Sequence, residues 1–197
     1  MPQVVLSILY ARDLGLRLPI IYNTSAFDSL ESIKLMDGLV DIYLPDFKVW
    51  KDETSKRLLK ADHYAETAME SIKAMHDQVG DLCFTPDGIA RKGLLVRHLV
   101  MPGKETEGEE IMKWMAANLS NDVFVNIMEQ YHPDAHVGKA KRTRQPVEPS
   151  NATEVAVRYP EINRPVNKKE ISSVRLAAER AGLWRFCDPP RHDGFSL

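Results

Sequence analysis

Arg97 and His98 interrupt an apolar run from Leu94 to Val100, and no other pair in the sequence is harder to place without a purpose. A guanidinium inside a buried strand is costly unless a carboxylate, internal or from a ligand, compensates it. Adjacent strand residues point to opposite faces, so only one of the two looks into a site. Arg97 is assigned there, and His98 is expected as a hydrogen-bonded core histidine. Asp46 and Lys48 flank Phe47, and on a continuing strand they share a face. Such a pair suits an amino-acid-like ligand, or else stands solvated. Asn23 and Thr24 offer short neutral hydrogen bonds to a ribose or a carboxylate, or simply cap a loop. Asn126, Glu129 and Gln130 complete a series of polar groups that follow apolar runs.

Other chemistries find less support. His132, Asp134 and His136 invite a metal, but Pro133 spoils the helical spacing that would aim both imidazoles at one ion. Cys83 and Cys187 stand more than a hundred residues apart, so no CxxC or CxxxCxxC ligand set can be written. They read as reduced thiols of a cytoplasmic protein, with Cys83 in a loop and inert. The formal net charge of -2 and pI of about 6.3 provide no positive field for nucleic acid or an anionic membrane. Lys139, Lys141, Arg142 and Arg144 form a short basic cluster of the kind usual in solvated loops. No window reaches the roughly 18 apolar residues of a membrane span. The Asn118 and Asn151 tripeptides match the glycosylation pattern, which has no meaning without export.

The elements that must carry these residues alternate. Val4, Val5, Ile8 and Leu9 recur as on a helix stopped near Gly15. Leu18 to Tyr22 and Val40 to Leu44 are short continuous apolar runs, expected as strands buried on both faces. Between them, Asp28 and Glu31 have capping-box spacing, predicting a helix that ends near Gly38. From Asp62, the stripe Ala65, Ala68, Met69, Ile72, Met75 and Val79 predicts a helix stopped by Gly80. Leu94 to Val100 is the third strand, the segment from Ile111 to Leu119 a helix, and Val123 to Met128 the fourth strand. Asn167 and Glu170 open a last helix that closes at Gly182.

Strands separated by helices imply a parallel sheet, either open and doubly wound or part of a β/α barrel. The expected class is α/β, a partial β/α barrel of about four parallel strands with flanking helices. Residues 1–183 form the domain, with an irregular excursion at about 133–165, and 184–197 form a tail. In such folds the carboxyl ends of the strands make the ligand face, which is where the polar series falls.

Three stretches then resemble a known family: Leu18-Pro19-Ile20-Ile21-Tyr22-Asn23-Thr24, Val40-Asp41-Ile42-Tyr43-Leu44-Pro45-Asp46-Phe47-Lys48, and Gly93-Leu94-Leu95-Val96-Arg97-His98-Leu99-Val100-Met101-Pro102-Gly103. Val125 to Tyr131 and Tyr159 to Arg164 continue the likeness, which runs with gaps from about Pro2 to Gly182. The family is that of radical S-adenosylmethionine proteins related to pyruvate formate-lyase activating enzyme. The resemblance implies a partial β/α barrel in which Asn23, Thr24, Asp46, Lys48 and Arg97 line the S-adenosylmethionine site, with Gln130 near the end of the next strand.

In the family, three cysteines of a CxxxCxxC loop hold a 4Fe-4S cluster that cleaves S-adenosylmethionine to a 5′-deoxyadenosyl radical. A Gly-Gly-Glu segment grips the methionine amino group, and in activating enzymes the target is a glycine on a partner protein. Neither the cysteine loop nor the Gly-Gly-Glu segment occurs in this sequence. The expectation is therefore the carboxy-terminal part of a radical oxidoreductase or activase, shortened at its amino end and inactive alone. Two alternatives stay open: a truncated binding or regulatory module, and an unrelated small α/β enzyme using Asp46, Lys48 and His98.

Overall fold

The computed structural model describes residues 2–140 and 157–187. Lys141, Arg142 and Arg144 of the basic cluster, Asn151, the middle of the expected excursion and the tail beyond Cys187 lie outside the described residues. In chain order the elements are helix α1 (Pro2–Asp13), strand β1 (Ile21–Thr24), α2 (Leu30–Leu35) and β2 (Ile42–Pro45). A short α3 (Asp52–Thr54) runs into a π-helical turn, Ser55–Leu59, and is followed by α4 (Tyr64–Val79). Then come β3 (Cys83–Phe84), β4 (Ala90–Leu99), α5 (Glu105–Asn118), β5 (Phe124–Met128) and α6 (Lys168–Arg180).

Strands β1, β2, β4 and β5 are parallel and adjacent in that order, while β3 folds back antiparallel on the start of β4. The architecture is α/β, an arc of a β/α barrel. Sequential strands joined by helices reach this arrangement because parallel neighbours need a crossover.

The alternation along the strands separates two environments. Tyr43, Pro45, Phe47 and Val49 are buried, whereas Leu44, Asp46 and Lys48 between them are half-buried. The same holds for Leu94, Val96, His98 and Val100 against Leu95, Arg97 and Leu99. On the buried side, Ala68, Ile72 and Met75 of α4, Ile111, Met112 and Met115 of α5, and Val174 and Ala178 of α6 complete one apolar core. Each of the Ile, Met and Val side chains among them contributes about 1.5–3 kcal/mol on burial. Phe47 is the aromatic hub, in edge contact with Trp114 at 5.7 Å and with Tyr64 at 6.5 Å.

The expectation of strands buried on both faces is therefore corrected. Helices cover one face of the arc, and the concave face stays partly open. The first strand is also displaced, starting at Ile21 rather than Leu18, and it forms the edge of the sheet, with Ile21 58% exposed. The opposite edge is covered, because residues Arg185 to Cys187 pair beside Val125. Those first residues of the expected tail are thus docked.

The helix ends follow local chemistry. Ser29, not Asp28, caps α2, accepting the Ser32 amide, because Asp28 is occupied by the hydroxyls of Tyr22 and Thr24. Asn167 and Glu170 form the expected capping box of α6. Gly80 ends α4 in a conformation with φ of 70°. Between α5 and its neighbours a glycine is required. A Cβ on Gly108 would stand 2.6 Å from His98 Nε2 and 2.8 Å from Val174 Cγ2. The described ends of the excursion meet in a bridge between Ala140 and Val157, and Tyr131 donates its hydroxyl to Ile162 O at 2.9 Å.

Candidate functional site

The register that sets Ile42 opposite Gly93 continues to a bridge between Asp46 and Arg97, and Arg97 in turn stands opposite Asn126 on β5. On the other side Asn23 pairs with Leu44, two residues before Asp46. A period of two therefore puts Asn23, Asp46, Lys48, Arg97 and Asn126 on the concave face at the carboxyl ends of their strands. Arg97 Nε donates to Asp46 Oδ1 at 2.7 Å, and Arg97 Nη2 donates to Asn23 Oδ1 at 2.6 Å. Lys48 Nζ donates to Asp46 Oδ2 at 2.7 Å.

Asp46 thus has each carboxylate oxygen engaged by a different cation. Both oxygens are committed, so it acts as an orienting anion and not as a ready general base. Two cations against one carboxylate leave the cluster net positive, while Arg97 and Lys48 keep unused donors. A guanidinium only donates, so Asn23 must turn its oxygen to Arg97 and present its amide hydrogens elsewhere. Arg97, Asp46 and Lys48 are 23%, 18% and 35% exposed at their side chains, so a ligand could reach all three. The arrangement suits a small molecule carrying a carboxylate and hydroxyl acceptors.

Thr24 is not part of this network. Its hydroxyl donates to Asp28 Oδ2 and accepts the Ala26 amide at 3.2 Å, which makes it the turn cap that was its plain alternative. Gln130 lies exposed beyond β5, and no hydrogen bond joins it to the cluster among the described residues. His98 turns to the other face, 3% exposed, with its Nδ1 2.8 Å from the Phe47 carbonyl. Burial holds its pKa below the ordinary imidazole value, against the backbone contact and the charge of Glu107. A catalytic set of Asp46, Lys48 and His98 is therefore not assembled.

No family model matches the chain. It is 32% identical over 167 residues to an uncharacterized protein of Methanocaldococcus jannaschii, a match covering 84% of this chain and 39% of that protein. The chain spans less than half the length of that relative. Among solved structures it resembles a domain of pyruvate-formate lyase-activating enzyme from Bacteroides vulgatus ATCC 8482, with a TM-score of 0.59. That superposition covers 94% of this chain and 89% of the other at 8% identity, so the likeness is one of fold.

An iron-sulfur cluster does not fit the donors in hand. Cys83 sits exposed in β3 and Cys187 exposed beside β5, and no group of three or more His, Cys, Asp or Glu could hold a metal ion among the described residues.

Two residues that support the site lie outside the candidates read from the sequence. The Tyr64 hydroxyl lies 2.7 Å from Asp46 O and 2.9 Å from Ser25 O, with its single proton to give to either, and it accepts the Lys48 amide at 3.0 Å. It clamps the exit of β2 to that of β1, and burial pushes its pKa well above the usual phenol value. Glu107, 3% exposed, accepts the amides of Trp50 and Lys51 at 3.0 and 2.8 Å and the Thr54 hydroxyl at 2.7 Å. It pins the segment that follows Lys48. A carboxylate four residues before Ile111 on the apolar stripe of α5 was the available signal. An aromatic with a polar tip in the first turn of α4 was the signal for Tyr64.

Proposed function

We propose that this chain is the carboxy-terminal part of a radical S-adenosylmethionine protein of the pyruvate formate-lyase-activating type. In this proposal Asn23, Asp46, Lys48 and Arg97 supply the polar wall of the S-adenosylmethionine site. The observation that carries it is the meeting of these four side chains in one hydrogen-bonded, net positive cluster at the strand ends. The shared fold of the activating-enzyme domain supports the same class.

S-adenosylmethionine would bring a sulfonium-linked adenosyl group and an amino-acid head. Arg97 and Lys48 would hold its carboxylate through donors that Asp46 leaves free, and the Asn23 amide would meet a ribose hydroxyl. Asp46 keeps the two cations aimed, and Tyr64 fixes the backbone that carries Asp46. The thiolates for a cluster must come from outside this sequence, so the chain by itself binds without turning over. In the whole protein such chemistry would act on a partner protein.

Calorimetric titration of the purified chain with S-adenosylmethionine tests the assignment. Weak, saturable binding is expected, and Arg97→Ala should weaken it about tenfold or more. Absence of binding, or binding indifferent to Arg97, would contradict it.

A further inference from the structure

At the other end of the sheet the amino ends of the strands border a cleft of about 470 Å³, lined by Arg12, Arg17, Arg91, Lys92 and Asp41 among others. It lies five residues up β2 from the strand-tip cluster, about 16 Å away along an extended chain. Its size falls within the range of small-ligand sites.

Its charges are unbalanced in a chain whose net charge is -2. Elsewhere cations meet acids, as in Arg57 with Glu161, Lys56 with Asp52 and Arg164 with Glu170. None of the four cleft cations has a carboxylate partner among the described residues. Arg12 is half-buried and fixed by donating to the carbonyls of Gly38 and Leu39 at 3.1 and 2.9 Å. Arg17 donates from one nitrogen to the carbonyls of Arg12 and Leu16. The one acid among the described lining residues is Asp41, whose Oδ2 accepts the Ile20 amide at 2.8 Å, so four cations face a single carboxylate. Arg91 and Lys92 stand exposed at the start of β4, with no ion pair to hold them among the described residues.

We propose that this cleft binds a phosphate-bearing small molecule. Three arginines and a lysine around a concave space match a doubly charged oxyanion: Arg91 offers a guanidinium fork that pairs with phosphate oxygens two at a time, while Arg12 and Arg17, whose terminal nitrogens already donate to carbonyls, add positive charge and their remaining hydrogens. The fixed Arg12 makes the site preorganised, and the freer Arg91 and Lys92 close on the ligand. The assignment stands independently of the S-adenosylmethionine site.

The test is titration of the full chain with diphosphate, orthophosphate and glycerol phosphate, followed by calorimetry and thermal unfolding at constant ionic strength. Saturable binding with a raised Tm is expected, lost by about tenfold or more in Arg91→Gln/Lys92→Gln and unchanged in Arg97→Ala. Tighter binding of glycerol phosphate than of orthophosphate would mark an organic phosphate as the ligand, and the reverse would mark the free anion. The proposal is overturned if sodium chloride at equal ionic strength reproduces the effect, or if the double variant binds as the parent does. Arg91→Ala/Lys92→Ala, with the fold checked by circular dichroism, provides a second variant.

Discussion

Arg97 and Asp46, 51 residues apart in sequence, meet at 2.7 Å where β4 and β2 end side by side. The strand register brings them together, so the contact belongs to the sheet and not to a mobile loop. Substituting Asp46→Asn would leave Arg97 and Lys48 facing a neutral amide that can accept only through its one oxygen. For a pair that is mostly but not fully buried, the expected cost is about 1–2 kcal/mol, less than for a dry interior pair. Urea unfolding measures it without the screening that guanidinium salts introduce.

Tyr64→Phe should leave the core packing intact and remove the hydroxyl between Asp46 O, Ser25 O and the Lys48 amide. A loss of about 1–3 kcal/mol is expected from unsatisfied polar groups. Ligand affinity should fall with it, since the exit of β2 is no longer tied to β1. Unchanged stability would show that the clamp is dispensable.

Stability should fall in acid in two stages. The buried His98 resists protonation when folded, so its contribution is complete above about pH 6.5 and declines as the pH drops below that value. Glu170 then follows. Its bond from Arg164, with the Asn167 and Gly103 amides, holds its pKa at about 2, from an ordinary 4.5. Its stabilisation, about 1–2 kcal/mol once the half-exposed Arg164 is allowed for, is present above pH 4.5 and disappears as the pH falls towards 2. Glu170→Gln should flatten that lower stage in urea titrations run across pH. At the alkaline end Tyr22, raised to about 12 by burial and by Asp28, loses its contribution as the pH rises from 10 through 12.

Gly93→Ala should be severely destabilising. The residue has φ of 128°, and a Cβ there would lie 2.4 Å from Leu82 Cα and 2.5 Å from Asp81 O, both backbone atoms. Backbone cannot swing aside as a side chain end can. The expected cost is about 3 kcal/mol or more, read as a lowered Tm or loss of soluble protein.

What the sequence disclosed follows from periodicity. The stripe of α4, the capping box of Asn167 and Glu170, and the divergence of Arg97 from His98 are local patterns with one physical solution. The displacement of β1 came from its place at the edge of the sheet, which no run of apolar residues reveals. Hairpin strand β3 pairs only two residues, too few for a period, and α3 with its π turn lacks an apolar stripe. Thr24 and Asn23 look alike in sequence, yet the pleat sends one to the turn and the other to the concave face. Tyr64 and Glu107 act through long-range hydrogen bonds, and such pairings emerge only when distant segments are brought together.

Nuclear magnetic resonance of the isotope-labelled chain, titrated with S-adenosylhomocysteine, tests the strand-tip site most directly. Amide shifts confined to Asn23, Asp46, Phe47, Lys48, Arg97 and their neighbours, and absent in Arg97→Ala, are the expected result. No shifts at those positions, or shifts centred on another face of the sheet, would contradict the assignment.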